Sequence, residues 1–141
     1  MNISSDDLKN LFTKPYGCEA PSQKMWSRFY SKDVIFIDPT QEKHGLKAYI
    51  KAQDKLLKRC DDVSLKTFIV TTTDLYGFVE WEMGLIISGK EFVYPGITRL
   101  IFDESGKIKE HRDYFDFCGP TFAPIPILGS FFRWLYSRFT T

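Results

Sequence analysis

At Asp61-Asp62 the spacing of apolar residues changes from one period to another, and that switch constrains the fold more than any other feature. Before it, Leu46, Tyr49, Ile50, Gln53, Leu56, Leu57 and Cys60 follow i, i+3, i+4 spacing with lysines on the outside, the pattern of a helix that buries one face. After it, everything from Ser64 to Phe117 reads as strands: Leu65 to Thr73, Tyr76 to Ser88, Phe92 to Phe102 and Ile108 to Phe117. Val79, Trp81, Met83 and Leu85 alternate with Glu80, Glu82 and Gly84, so one sheet face is apolar. The strands are joined by Ser88-Gly89-Lys90-Glu91 and by Asp103-Glu104-Ser105-Gly106-Lys107, short Gly-containing turns of the hairpin kind.

Upstream, Ser4-Ser5-Asp6-Asp7 starts a first helix with a hydroxyl cap and acid in the first turn, and Pro15 and Gly17 end it. A second short helix carries Met25, Trp26, Phe29 and Tyr30 on one side. The β-rich run Val34 to Ile37 stops at Asp38-Pro39, because proline cannot donate to a ladder. The order is therefore helices, one strand, a long helix and a four-stranded meander. Helices grouped ahead of an antiparallel sheet predict an α+β fold in which the sheet curls around the helices. At 141 residues the chain is expected to be one domain.

Composition removes several function classes. Nineteen basic and 18 acidic residues give a net charge of +1, without the overall field of a nucleic-acid binder. Three cysteines far apart, Cys18, Cys60 and Cys118, make neither a disulfide framework nor a CxxC metal site, and reduced thiols in or near a core are expected. The N-terminus lacks the features of a secretory signal and no run of about 18 apolar residues exists, which predicts a cytoplasmic protein. Residues 122–141 form a separate amphipathic tail. On a helix, Ser130, Arg133, Ser137 and Thr140 share one side, opposite Leu128, Phe131, Trp134, Leu135 and Phe139. Docking on its own sheet is the favoured expectation for this tail, over a seal at a subunit interface or an interfacial membrane anchor, since only two arginines serve its polar face.

The stretches "FYSKDVIFIDPTQEKHGLKAYI", "RLIFDESGKIKEHRDYFD" and "PILGSFFRWLYSRF" resemble the strand–Asp-Pro–helix segment, the last hairpin and the tail of the nuclear transport factor 2-like superfamily, in its SnoaL-like and ketosteroid isomerase-like branch. The resemblance spans roughly Met25 to Arg138. It implies a cone: a bent antiparallel sheet around the N-terminal helices, an apolar cavity inside the mouth, and pairing of two copies through the outer sheet face. It also implies that His111, Asp113 and Phe115 point inward while Arg112, Tyr114 and Asp116 point outward, and that the cavity is walled by Trp26, Val79, Trp81, Met83, Tyr94, Thr98 and Phe115.

Two functions follow from the resemblance. The first is a cofactor-independent enzyme of the isomerase, cyclase or hydratase type acting on a small hydrophobic molecule. Asp38 falls at the general-base position of the ketosteroid isomerases, and His111 with Asp113 would act as acid or water-positioning partners. Against this, Asp before Pro also caps turns. Thr98 stands where those isomerases hold a protonated acid, and Tyr16 and Tyr30 are the unaligned candidates for their second donor. No metal is expected from a single inward histidine. The second function is a non-catalytic module that binds a hydrophobic ligand or dimerises.

Overall fold

The computed structural model describes residues 2–140. Its elements run α1 (Ser5–Leu11), α2 (Gln23–Phe29), β1 (Tyr30–Asp38), β2 (Gln41–His44), α3 (Leu46–Arg59), β3 (Asp62–Thr72), β4 (Tyr76–Ile87), β5 (Lys90–Phe102), β6 (Ile108–Phe115), α4 (Cys118–Phe122) and α5 (Leu128–Thr140). The six strands make one sheet in the order β2-β1-β6-β5-β4-β3. The fold is α+β, as the element order predicts. The sheet is mixed, however, because β1 runs parallel to β6 and sets Phe36 beside His111 and Ile37 beside Arg112.

Local chemistry explains the element ends. The Ser4 hydroxyl accepts from the Asp7 N–H and the Asp7 carboxylate accepts from the Ser4 N–H, both at 3.0 Å, closing a capping box on α1. Gly45 precedes α3 at φ +93°, a conformation closed to residues with a Cβ, and donates its N–H to the Val34 carbonyl at 2.8 Å. One strand goes unpredicted: β2 is four polar residues that pair antiparallel with β1, so no hydrophobic alternation marks it. His44 ends this edge strand beside Glu42 at 3.3 Å.

The core lies between the concave sheet face and the helices. Leu8, Val34, Val79, Leu100 and Ile108 are wholly buried, with Phe12, Phe29, Tyr30, Phe36 and Tyr49 around them. Gly96 on β5 has a specific packing reason. A Cβ there would fall 2.5 Å from the Trp81 indole, so only glycine lets that ring lie flat against the neighbouring strand.

The docking of the tail departs from expectation. The tail forms one helix, α5, as expected, but it packs on α4, a short helix just upstream that lies against β5, rather than on the sheet itself. Phe122 and Phe132 stack at 4.6 Å, and Gly129 closes on the Ala123 carbonyl. Phe131, Trp134, Tyr136 and Phe139 stay exposed. Among the described residues no helix is long and apolar enough to cross a membrane. The three cysteines are free; Cys60 is buried, while Cys18 and Cys118 lie at the surface.

Candidate functional site

Strand alternation places His111 on the inner face of β6, where it is 2% exposed. Four rings enclose it: Phe12 and Tyr30 stack on it at 5.7 and 5.8 Å, with Phe36 and Tyr49 at 5.0 and 5.4 Å. Both ring nitrogens are engaged. Nδ1 meets the Tyr30 hydroxyl at 2.8 Å, and Nε2 meets Asp113 Oδ1 at 2.7 Å. Thr98, buried on β5, donates its hydroxyl to the same Asp113 oxygen at 2.5 Å and accepts from the Trp81 indole N–H at 2.7 Å.

The protons in this network have one consistent direction. Burial raises the phenols of Tyr30 and Tyr49 well above their ordinary value, so both stay protonated. The Tyr49 hydroxyl interacts with Tyr30, which donates to Nδ1. The imidazole proton then sits on Nε2 and points at Asp113. The Thr98 hydroxyl and the imidazole thus both direct hydrogens to one carboxylate, the indole N–H donates to that hydroxyl, and none of these buried donors is left unsatisfied. Asp113 is the only member that reaches the edge, with a side chain 16% exposed.

Asp38 stands apart from this chain. Its Oδ1 accepts from the Thr40 N–H at 2.7 Å, the Thr40 hydroxyl at 2.8 Å and the Gln41 N–H at 3.0 Å, while Oδ2 lies 3.3 Å from the Gln41 amide. Such an Asx turn leads β1 into β2. Asp38 and Asp113 nevertheless line the same open hollow, with Ile37, Pro39 and Phe115.

The predominantly apolar pocket lies elsewhere. A cavity of about 130 Å³ opens between the α1–α2 connection, α3 and the start of β3. Leu11, Pro21, Trp26, Ile50, Leu57 and Met83 wall it, and Lys14, Gln53 and Asp54 also line it. Lys14 is held by the Val63 carbonyl at 2.5 Å and by Asp62 at 3.6 Å. Of the seven expected wall residues, only Trp26 and Met83 line this cavity. Val79, Trp81, Tyr94 and Thr98 do face inward, but the Trp81 and Tyr94 rings meet Phe115 at 5.8 and 6.0 Å and fill the space. Tyr94 is further covered by α4, where its hydroxyl meets that of Thr121 at 2.7 Å. Trp26 separates the cavity from the histidine: its ring contacts Tyr30 and Tyr49 at 5.3 and 5.1 Å.

Sequence reasoning missed Tyr49 and misplaced Tyr30. The signals were present: Tyr49 sits at helical spacing on the buried face of α3, and Tyr30 opens a β-rich run rather than closing a helix. On the outer face, Arg99 pairs with Glu110 at 2.7 Å. Arg112 lies over the Tyr114 ring at 5.9 Å. Among the described residues no three His, Cys, Asp or Glu side chains converge as a metal site.

A family model described as the SnoaL-like domain matches residues 18–111, two thirds of the chain. The chain belongs to the SnoaL-like family. Solved structures agree on the fold of this SnoaL-like protein. A protein from Jannaschia sp. CCS1 named as a SnoaL-like polyketide cyclase superposes with a TM-score of 0.58 at 16% identity, over 66% of this chain and 71% of its own. A protein with a ketosteroid isomerase-like fold from Catenulispora acidiphila DSM 44928, in complex with trimethylamine, gives 0.60 at 15% identity over 67% and 75%. An NTF2-like protein of unknown function from Exiguobacterium sp. 255-15 gives 0.58 at 18% identity over 68% and 86%. At these identities the likeness is one of fold. No curated protein matches the sequence.

Proposed function

We propose that this SnoaL-like protein is a non-catalytic module that binds one small apolar molecule in the cavity beside Trp26 and Met83. The observation that carries this reading is a separation. Neither His111 nor Asp38 lines the apolar cavity, and both nitrogens of His111 and both oxygens of Asp38 are committed to hydrogen bonds with other groups. At about 130 Å³ the cavity is smaller than the roughly 300–1,000 Å³ that encloses drug-sized ligands. Its ligand is then a single ring or a short branched chain, with Gln53 or Lys14 able to meet one polar atom. The Catenulispora relative is itself in complex with a molecule as small as trimethylamine. Quenching of indole fluorescence by a panel of monocyclic apolar compounds tests the proposal. Binding is expected in the wild-type protein and at least tenfold weaker in Met83→Trp, whose larger ring fills the cavity. Equal affinity in the two proteins contradicts it.

One observation favours acid–base catalysis as a second reading: Asp38 and Asp113 share an open hollow, and Asp113 is backed by His111. Turnover of a small hydrophobic carbonyl compound that is lost in both Asp38→Asn and Asp113→Asn would support it. Turnover that survives either change would dismiss it.

The outer sheet face supports pairing of two copies. Ile69, Ile97 and Tyr114 lie along one row of the sheet and are 58%, 43% and 49% exposed, with Glu80 of β4 between Ile69 and Ile97 and Phe78 further along β4. Exposed apolar side chains grouped on one face in this way support an interaction site, with Glu80 as the one charge among them. Sedimentation equilibrium should give a dimer for the wild-type chain and a folded monomer for Ile97→Glu; a wild-type monomer refutes the pairing.

A further inference from the structure

On the side of α3 facing away from the apolar cavity, a second hollow of about 650 Å³ lies between α3 and β2. Lys51, Lys55 and Arg59 project from α3 at intervals of four residues, and Lys43 faces them from β2. Ala48 and Ala52 keep the helix surface low between them, and Phe117 adds an apolar wall. No carboxylate lines this hollow among the described residues. Nor is any of its four cations in an ion pair there: Glu42 turns to His44, and Asp54 lines the cavity on the other side of the helix.

The arrangement is electrostatically costly for the protein alone. Lys51 with Lys55, and Lys55 with Arg59, are like charges one turn apart, which repel and weaken a helix. The chain as a whole carries a net charge of only +1, so this concentration is local and not a consequence of composition. From Lys51 to Arg59 the charges extend over about 12 Å of helix, too long for one carboxylate to neutralise. An anion carrying several charges would meet all four, and phosphate groups accept from both ammonium and guanidinium donors.

We propose that the hollow between β2 and α3 is a binding site for phosphate-bearing molecules, held by Lys43, Lys51, Lys55 and Arg59, with Phe117 against the uncharged part of the ligand. The chemistry is shared by a soluble phosphate ester and a phospholipid headgroup. It is independent of what fills the apolar cavity.

Two probes distinguish the sources: titration calorimetry with inorganic pyrophosphate, and co-sedimentation with vesicles of phosphatidylglycerol and phosphatidylcholine against phosphatidylcholine alone. Each is run on the wild-type protein, on Lys51→Glu with Lys55→Glu, and on Lys9→Glu with Lys24→Glu. The last pair changes net charge equally at exposed helix positions outside the hollow. The wild-type protein is expected to bind at least one anionic probe, with affinity falling tenfold or more in the first variant and less than twofold in the second. Pyrophosphate binding assigns a soluble ligand, and binding to the phosphatidylglycerol vesicles alone assigns a headgroup. Lys55→Gln with Arg59→Gln provides the same test if charge reversal prevents folding. No binding by the wild-type protein to either probe overturns the proposal, as does an equal loss in the two charge-reversed variants.

Discussion

Replacing His111 by alanine is expected to lower the unfolding free energy by about 4 kcal/mol. Two costs combine. The imidazole leaves a void among Phe12, Tyr30, Phe36 and Tyr49, whose rings belong to different elements and cannot close on it together. Asp113 also loses a donor at 2.7 Å while remaining largely buried. A natural domain has only about 5–15 kcal/mol in total, so the loss approaches the limit of folding. Tyr30→Phe removes one hydroxyl and keeps the ring, and should cost about 1–2 kcal/mol. Urea titrations of the two variants check the order. An increase in stability for His111→Ala would mean that the pair is held at a cost, as catalytic groups often are, and would favour the enzyme reading.

Alkaline pH should destabilise the protein through Tyr30 and Tyr49. Burial raises both phenols above the ordinary value of 10.0. The folded state therefore keeps its protons at pH values where the unfolded chain releases them. Below pH 10 neither state loses a proton and the contribution is complete. As pH rises from 10 towards the raised folded values it declines, by up to about 1.4 kcal/mol per pH unit for each tyrosine. Urea midpoints between pH 9 and 11 should fall more steeply for the wild-type protein than for Tyr30→Phe, which has one such group fewer. Parallel slopes in the two proteins would contradict the buried, protonated assignment.

Much of the fold is legible in the sequence because its signals are local. The Ser4–Asp7 box marks the start of α1. The resemblance of the last hairpin to the ketosteroid isomerases turns His111 inward and Tyr114 outward. Alternation from Ile108 alone would not, since a register shift before Glu110 leaves both Ile108 and His111 buried. What the sequence does not show depends on distant contacts. The parallel pairing of β1 with β6 joins segments some 75 residues apart, and β2 acquires its strand character only by lying beside β1. The cavity is harder still, because its position is a matter of volumes. Trp81 and Tyr94 were expected to line it and instead fill it, since Gly96 lets the indole seat flat and α4 closes over the Tyr94 hydroxyl. The space that survives is further along, under Trp26. Asp38 illustrates a different limit: Asp-Pro-Thr is as good a turn as it is a catalytic position, and only the Thr40 and Gln41 donors show that the turn is made.

The most direct test of the binding account is a backbone-amide, methyl and indole chemical-shift map with the best monocyclic ligand from the fluorescence panel. Perturbations are expected at Trp26, Ile50, Leu57 and Met83, and should vanish in Met83→Trp. Perturbations centred instead on Ile37, Asp113 and Phe115, and unchanged by Met83→Trp, would contradict the account and place the ligand at the carboxylates.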